Sequence, residues 1–312
     1  MSEATPVLIS AYAASPAYAH WDPGLEAELL PALCALPDVA GLEVPWLGAV
    51  HPHDPQWFLD HVPAGASLAL TPLPWVMRRT AEDPAYGIAS TDAAGRAAAI
   101  ADLRRLRADA RLLGERSDGH VAYVALHTAP RGGGDPAALA ASLDEVGGWD
   151  WGDARLVVEH CDAVRPGQAF EKGFLPLEDE IATIARVDAD IGLWLNWGRS
   201  AIELRDADAV TTQIRDAAAS GILAGLTFSG VATVDGPYGS AWIDAHPPIL
   251  STDPSSRSLL DDAHVAAALR AAGDAPWLGL KVSRLPADRT AAEVLATVAR
   301  NLEVVRRAHA TA

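Results

Sequence analysis

With 312 residues, 50% of them hydrophobic, the chain is long enough for a sizeable core and is not a disordered protein. A formal net charge of −17, from 24 basic against 41 acidic residues, argues against a nucleic-acid partner, because such binding draws on Lys and Arg neutralising phosphates, and it equally disfavours an anionic membrane surface. No apolar run reaches the ~18 residues of a membrane span, "MSEATPVLIS" lacks the basic-then-apolar layout of a signal peptide, and the two cysteines, Cys34 and Cys161, suit a reducing compartment, so a cytoplasmic protein is expected.

Strand-like runs occur at 7–12 (VLISAY), 41–47 (GLEVPWL), 67–73 (SLALTPL), 121–128 (VAYVALHT), 155–160 (RLVVEH), 191–197 (IGLWLNW), 223–230 (LAGLTFSG) and 278–284 (LGLKVSR). Helical stretches follow them near 24–36, 54–61, 91–115, 135–146, 176–187, 206–220, 261–272 and 290–309, several behind start signals such as Asp92, Asp135, Asp261 and Thr290. Regular alternation of this kind predicts an α/β protein, a single (β/α)8 TIM barrel over residues 1–312. A doubly wound open sheet is the alternative, but no GxGxxG turn follows the first strand, and "RGGGDP" at 131–136 lacks the Lys-Ser/Thr of a phosphate loop. Two long connections, 74–90 and 231–260, follow the third and seventh strands and so belong to the carboxyl-terminal face, where barrel enzymes keep their active sites.

The end of the fifth strand, "VVEHCDA", places Glu159, His160, Cys161 and Asp162 in a row. Side chains alternate faces along a strand, so these four do not converge as one metal site. With Glu159 taken as inward, the same parity gathers Glu43, His127, Trp194 with Asn196, Thr227 with Ser229, and Lys281 with Ser283. Leu42, Val44, Leu126, Leu193, Leu195, Leu226, Phe228, Leu280 and Val282 then face the helices. His160 falls outward or at the rim, as a structural histidine.

The segment "ASTDAAGRAAAIADLRRLRADARLLG" (89–114), with its Ser-x-Asp start, an Arg and a long helix ending in Leu-Gly, resembles the third-helix region of the xylose-isomerase-like sugar isomerase and epimerase barrels. In that family the next strand commonly ends in His, here His127 in "VALHT", and the fifth in Glu, here Glu159. The resemblance implies a TIM barrel acting on carbohydrates. It also implies a divalent metal held by a Glu of strand five, an acidic residue of strand six, a His of strand seven and a Glu of strand eight. Here only Glu159 matches; Asn196, Thr227 with Ser229, and Lys281 with Ser283 stand at the other positions. One carboxylate among neutral oxygens and an ammonium makes a poor site, so no cofactor and no tightly held metal are expected.

The expected function is therefore isomerisation or epimerisation of a sugar or anionic sugar derivative by proton transfer. Glu159 carries the proton, Lys281 supplies the charge that stabilises an enediolate, and His127 completes the catalytic group. Glu43, Asn196, Arg199, Trp194, Ser229 and His246 are assigned to substrate binding, and Trp46, Trp75 and Trp197 are further stacking candidates. Each has a structural counterpart: a salt bridge of Glu159 with Lys281, an ion pair of Arg199 with Glu203, core packing for the tryptophans, and a polar turn for Asp244 and His246. Lys172 fits an ion pair with Glu171 better than an anion grip. A Schiff-base lyase or aldolase through Lys281 and a non-catalytic carbohydrate-binding barrel remain as alternatives, and assembly into a homo-oligomer stays open.

Overall fold

The computed structural model describes residues 5–275 and 277–311. Parallel strands β1 (Val7–Ser10), β2 (Val39–Pro45), β3 (Ser67–Thr71), β4 (His120–Leu126), β5 (Arg155–Glu159), β6 (Ile191–Asn196), β7 (Leu223–Phe228) and β8 (Trp277–Leu280) follow one another around a closed barrel. The helices are α1 (Ala11–Ala14), α2 (Pro23–Cys34), α3 (Pro55–His61), α4 (Leu73–Glu82), α5 (Ala93–Arg116) and α6 (Pro136–Gly147), then α7 (Leu177–Ile184), α8 (Trp197–Leu204), α9 (Ala207–Ala219), α10 (Asp262–Ala272) and α11 (Ala291–His309). This is the (β/α)8 arrangement that the alternation predicts. Among the described residues no helix is long and apolar enough to cross a membrane.

Start signals act as read. Asp92, Asp135 and Asp261 each accept a backbone N–H from the first turn of α5, α6 and α10, and Thr290 forms a capping box with Glu293 at the head of α11. Thr290→Ala removes the acceptor for the Glu293 amide and is expected to cost about 1 kcal/mol, a fall of about 1.5 °C in Tm for a chain of this size. A melting curve superimposable on the parent's would show that this cap carries no stability.

The structure departs from the sequence reading in three connections: the first strand, read as 7–12, stops at Ser10, where α1 begins, and the other two follow β3 and β6. Segment 74–90 is not all loop, because α4 occupies its first half with prolines at its start, where the missing N–H costs nothing. After β6 the chain enters α8 with no intervening residue, and Asn196 serves as both the last strand residue and the N-cap. The 231–260 connection is irregular apart from a short 3-10 turn at Pro254–Ser256.

By contact density the chain forms two compact units: one runs up to Glu43 and resumes at Leu195, and the other is Val44–Trp194. In the first, β1 lies between β2 and β8, with Ile9 level with both Leu42 and Leu280 and Ser10 level with Glu43. Strand β7 pairs β8 with Phe228 level with Leu280, and α10 packs between α9 and α11 while α11 continues onto α2. In the second unit β3, β4, β5 and β6 pair in turn, with Leu126 level with Val158 and Glu159 level with Trp194. The apolar parity set, Leu126, Val158 and Leu193 here and Leu226, Phe228 and Leu280 there, is essentially sealed from water. Its burial leaves the alternate positions to carry the polar groups at the strand ends.

Candidate active site

In the Val44–Trp194 unit, His127 follows β4 and Glu159 closes β5. Their Nε2 and Oε2 atoms stand 2.8 Å apart, with the two side chains 0% and 5% exposed. The parallel register dictates this meeting: Leu126 lies level with Val158, so the next residues on the two strands share a face. On the neighbouring strand, level with Glu159, Trp194 packs edge-on against Tyr123 with ring centroids 5.3 Å apart, part of the filled interior of a small barrel.

The opposite parity is engaged as well. His160 is completely buried, and its Nδ1 is 2.7 Å from Glu180 Oε2 on α7, while Thr128 donates to the other Glu180 oxygen at 2.6 Å. One helix carboxylate thus ties down the residue after His127 and the residue after Glu159. His160 is the structural histidine expected, sunk against the helix layer rather than at the rim. Further along, Asp162 accepts the Glu171 and Lys172 amides, and Lys172 Nζ lies 3.5 Å from Glu171 Oε1, the ion pair anticipated for it.

In the other unit Lys281 follows β8 and is fully buried. Its Nζ donates to Glu43 Oε1 at 3.0 Å and meets the Tyr12 hydroxyl, and it lies 4.7 Å from the centroid of the Tyr12 ring. Because Ser10 is level with Glu43 and Ile9 with Leu280, the ends of β2 and β8 flank Ser10, whose hydroxyl is buried without a hydrogen-bond partner. The carboxylate that Lys281 holds is therefore Glu43, not the Glu159 weighed from the sequence. Tyr12 was missed because it reads as the last residue of the first strand; the strand stops at Ser10 and α1 turns Tyr12 back over the barrel end. Behind it Tyr18, 5.6 Å from Tyr12 between ring centroids, has its phenol pKa pushed well up by burial and then by the Glu26, Tyr12 and Glu43 charges.

The remaining polar residues of this unit form a second chain. Asn196 Oδ1 accepts the Arg199 amide at 3.2 Å, leaving its own Nδ2 buried without a partner. Arg199, 1% exposed, places Nε 3.0 Å from Asp244 Oδ2, a carboxylate that the sequence reading did not consider for it. Asp244 Oδ1 is 3.2 Å from His246 Nδ1, which is 2.8 Å from Ser229 Oγ. Gly198 allows the head of α8 to sit here, since a Cβ at that position would fall 2.7 Å from the Ser229 carbonyl oxygen. Asp244 and His246 are thus built into the end of the barrel, where the sequence offers a turn as an equal account of them.

The stacking candidates are mostly committed to packing. Trp197 is fully buried, with its ring edge-on to His264. Trp46 and Trp75 meet at 5.4 Å, their indole N–H groups donating to Asp109 and Asp102 at 2.7 Å each. With Tyr86, Ile88 and His127 they line a narrow cleft.

The metal implied by the sequence resemblance does not fit this donor set. Asn196 Oδ1 is occupied as a helix cap, Ser229 is hydrogen-bonded to His246, and at the strand-eight position stands a cation already paired with Glu43.

Comparison with known proteins agrees with the architecture. A xylose isomerase domain containing protein of Salmonella typhimurium LT2 matches with a TM-score of 0.61 at 11% identity, over 97% of both chains. L-ribulose 3-epimerase matches with a TM-score of 0.59 at 19% identity, over 98% of this chain and 96% of that one. At such identities the likeness establishes the fold alone, a TIM barrel. Within that class the chain belongs to the family described as a domain of unknown function, DUF4862, whose model matches residues 8–297. A protein of Salmonella typhimurium LT2 described as uncharacterized protein STM3670 is 37% identical over 277 residues, 87% of each chain.

Proposed function

We propose that the protein is a carbohydrate isomerase or epimerase that works by proton transfer at carbon, without the divalent metal of the barrels it resembles. The observation that carries this reading is the His127–Glu159 pair: a nearly buried carboxylate at the end of β5, 2.8 Å from an imidazole nitrogen. A carboxylate placed so can remove a proton next to a carbonyl and return it. Lys281, held by Glu43 and Tyr12, is the charge that stabilises the resulting enediolate. The reaction class comes by analogy with barrels such as the L-ribulose 3-epimerase, and the residues come from this chain's own geometry.

The test is proton exchange followed by NMR in D2O with L-ribulose, D-psicose, D-fructose and D-tagatose. Loss of a carbon-bound proton signal together with appearance of an isomer or epimer supports the reading; a protein that binds these sugars without exchanging any of them is a binding barrel instead. The lyase alternative gains nothing from the structure, because the amine that would attack is engaged by Glu43 and by the Tyr12 hydroxyl. Elemental analysis after mild dialysis is expected to find far less than one divalent metal per chain. Near-equimolar zinc, manganese or cobalt, lost on Glu159→Gln, would restore the metal-dependent mechanism.

A further inference from the structure

The connection after β7 carries an imidazole with one nitrogen committed to the protein and the other open. His246 Nδ1 lies 3.2 Å from Asp244 Oδ1 and 2.8 Å from Ser229 Oγ. A carboxylate oxygen at that distance repels a lone pair, so the hydrogen belongs on Nδ1, where the Ser229 hydroxyl oxygen accepts it. This tautomer leaves the lone pair on Nε2. Among the described residues nothing engages Nε2, and the side chain retains 13% of its surface.

The surroundings hold the ring rather than merely touch it. Asp244 is fixed from behind by Arg199 at 3.0 Å. On the other side, Ser283 after β8 donates its amide to the His246 carbonyl at 2.7 Å and its hydroxyl to the Ala245 carbonyl at 2.7 Å. Trp242 and His246 both adopt left-handed backbone conformations, with φ of 61° and 56°. Residues with side chains disfavour that region and keep it only where neighbouring contacts insist, a pattern concentrated at working sites.

We propose that His246 is a catalytic acid–base residue that moves a proton between two substrate oxygens through Nε2, with Asp244 as its positioning residue. This rests on the proposed reading and narrows it to isomerisation of an α-hydroxy aldehyde or ketone, whose carbonyl and adjacent hydroxyl oxygens both come within reach of one nitrogen. The step balances within the substrate. As the base of the isomerase reading removes the carbon-bound proton from the hydroxyl-bearing carbon and delivers it to the former carbonyl carbon, Nε2 takes the hydroxyl proton while that carbon–oxygen bond becomes a carbonyl, and the imidazolium returns it to the oxygen that was the carbonyl. One carbon is oxidised, its neighbour is reduced, and no external oxidant takes part. The ring begins the cycle neutral: burial lowers its pKa below the ordinary value, the Lys281 and Arg199 charges add to that, and Asp244 pulls the other way.

Two measurements test this, one independent of any substrate. In protein labelled with 15N-histidine, the His246 signals, assigned by their loss in His246→Asn, are expected at pH 7.5 to show Nδ1 protonated and Nε2 bare. Asp244→Asn removes the repulsion and is expected to raise the Nε2–H form. An Nε2–H tautomer in the parent overturns the proposal whatever the substrate is. The second measurement uses whichever of L-ribulose, D-psicose, D-fructose and D-tagatose the parent converts. His246→Asn, a residue that tolerates the left-handed backbone, is expected to lower kcat about 100-fold with KM changed less than about threefold, at an unchanged melting temperature. Parental kcat in that variant overturns the catalytic role. A parent that converts none of the four while showing the expected tautomer overturns the isomerase reading and the shuttle with it; a wrong tautomer in an active parent overturns the shuttle alone.

Discussion

Glu159→Gln is expected to slow exchange of the substrate's carbon-bound proton with D2O by about 10³-fold, within the range that loss of a general base produces, while leaving sugar binding close to parental. Glutamine keeps the size and one accepting oxygen of the carboxylate, so His127, 2.8 Å away, retains a hydrogen-bond partner and the ends of β4 and β5 stay together. Only the basicity is lost. A substitution that removed binding energy shared by ground state and transition state would raise KM instead, so kcat and KM are to be read separately. Exchange at the parental rate on a confirmed substrate would falsify the role of Glu159 and leave His127 without a catalytic partner. The Glu180 clamp sharpens the comparison. Glu180→Gln alters a carboxylate that holds Thr128 and His160, the residues next to the pair, so its effect on exchange is expected to be much smaller than that of Glu159→Gln.

Much of this architecture can be read from the chain because each strand–helix unit announces itself twice, by an apolar run and then by a capping residue. Asp92, Asp135, Asp261 and Thr290 do what their positions predict. Helices α4 and α8 escape because each begins where a strand stops: the prolines of "TPLPWV" look like loop residues, and Asn196 ends β6 while capping α8. Parity puts His127 and Glu159 on one face, but that they stand level and meet is set by the β4–β5 register, which the sequence does not fix. The partner of Lys281 is no more legible. Glu43 and Glu159 have equal claims until the pairing of β1 with both β2 and β8 is known, and that pairing depends on closure of the barrel, a long-range fact with no local signature. Asp244 is hidden for a similar reason, because a residue in a long irregular connection has no periodicity to say where it returns.

The second large effect is expected at Lys281. Methionine there matches the length of the side chain and removes the charge, leaving the Glu43 carboxylate, whose side chain is only 15% exposed, without its cation. Breaking such a pair from one side costs up to about 3–5 kcal/mol for a fully buried partner, and the lower end applies because Glu43 keeps some contact with water. Lys281→Met is therefore expected to lower Tm by several degrees and to reduce turnover strongly, through loss of the charge that stabilises an enediolate. The two effects separate in the double variant Lys281→Met with Glu43→Gln. Neutralising the stranded carboxylate restores most of the lost stability, since a hydrogen-bonding amide replaces an unpaired charge. It restores none of the turnover, because the oxyanion still has no cation to meet. Thermal melts and kcat on the same four proteins, the two single variants included, decide the matter. Recovery of kcat along with Tm would make Lys281 a structural partner of Glu43 and remove it from the chemistry, whereas recovery of Tm alone assigns it to both.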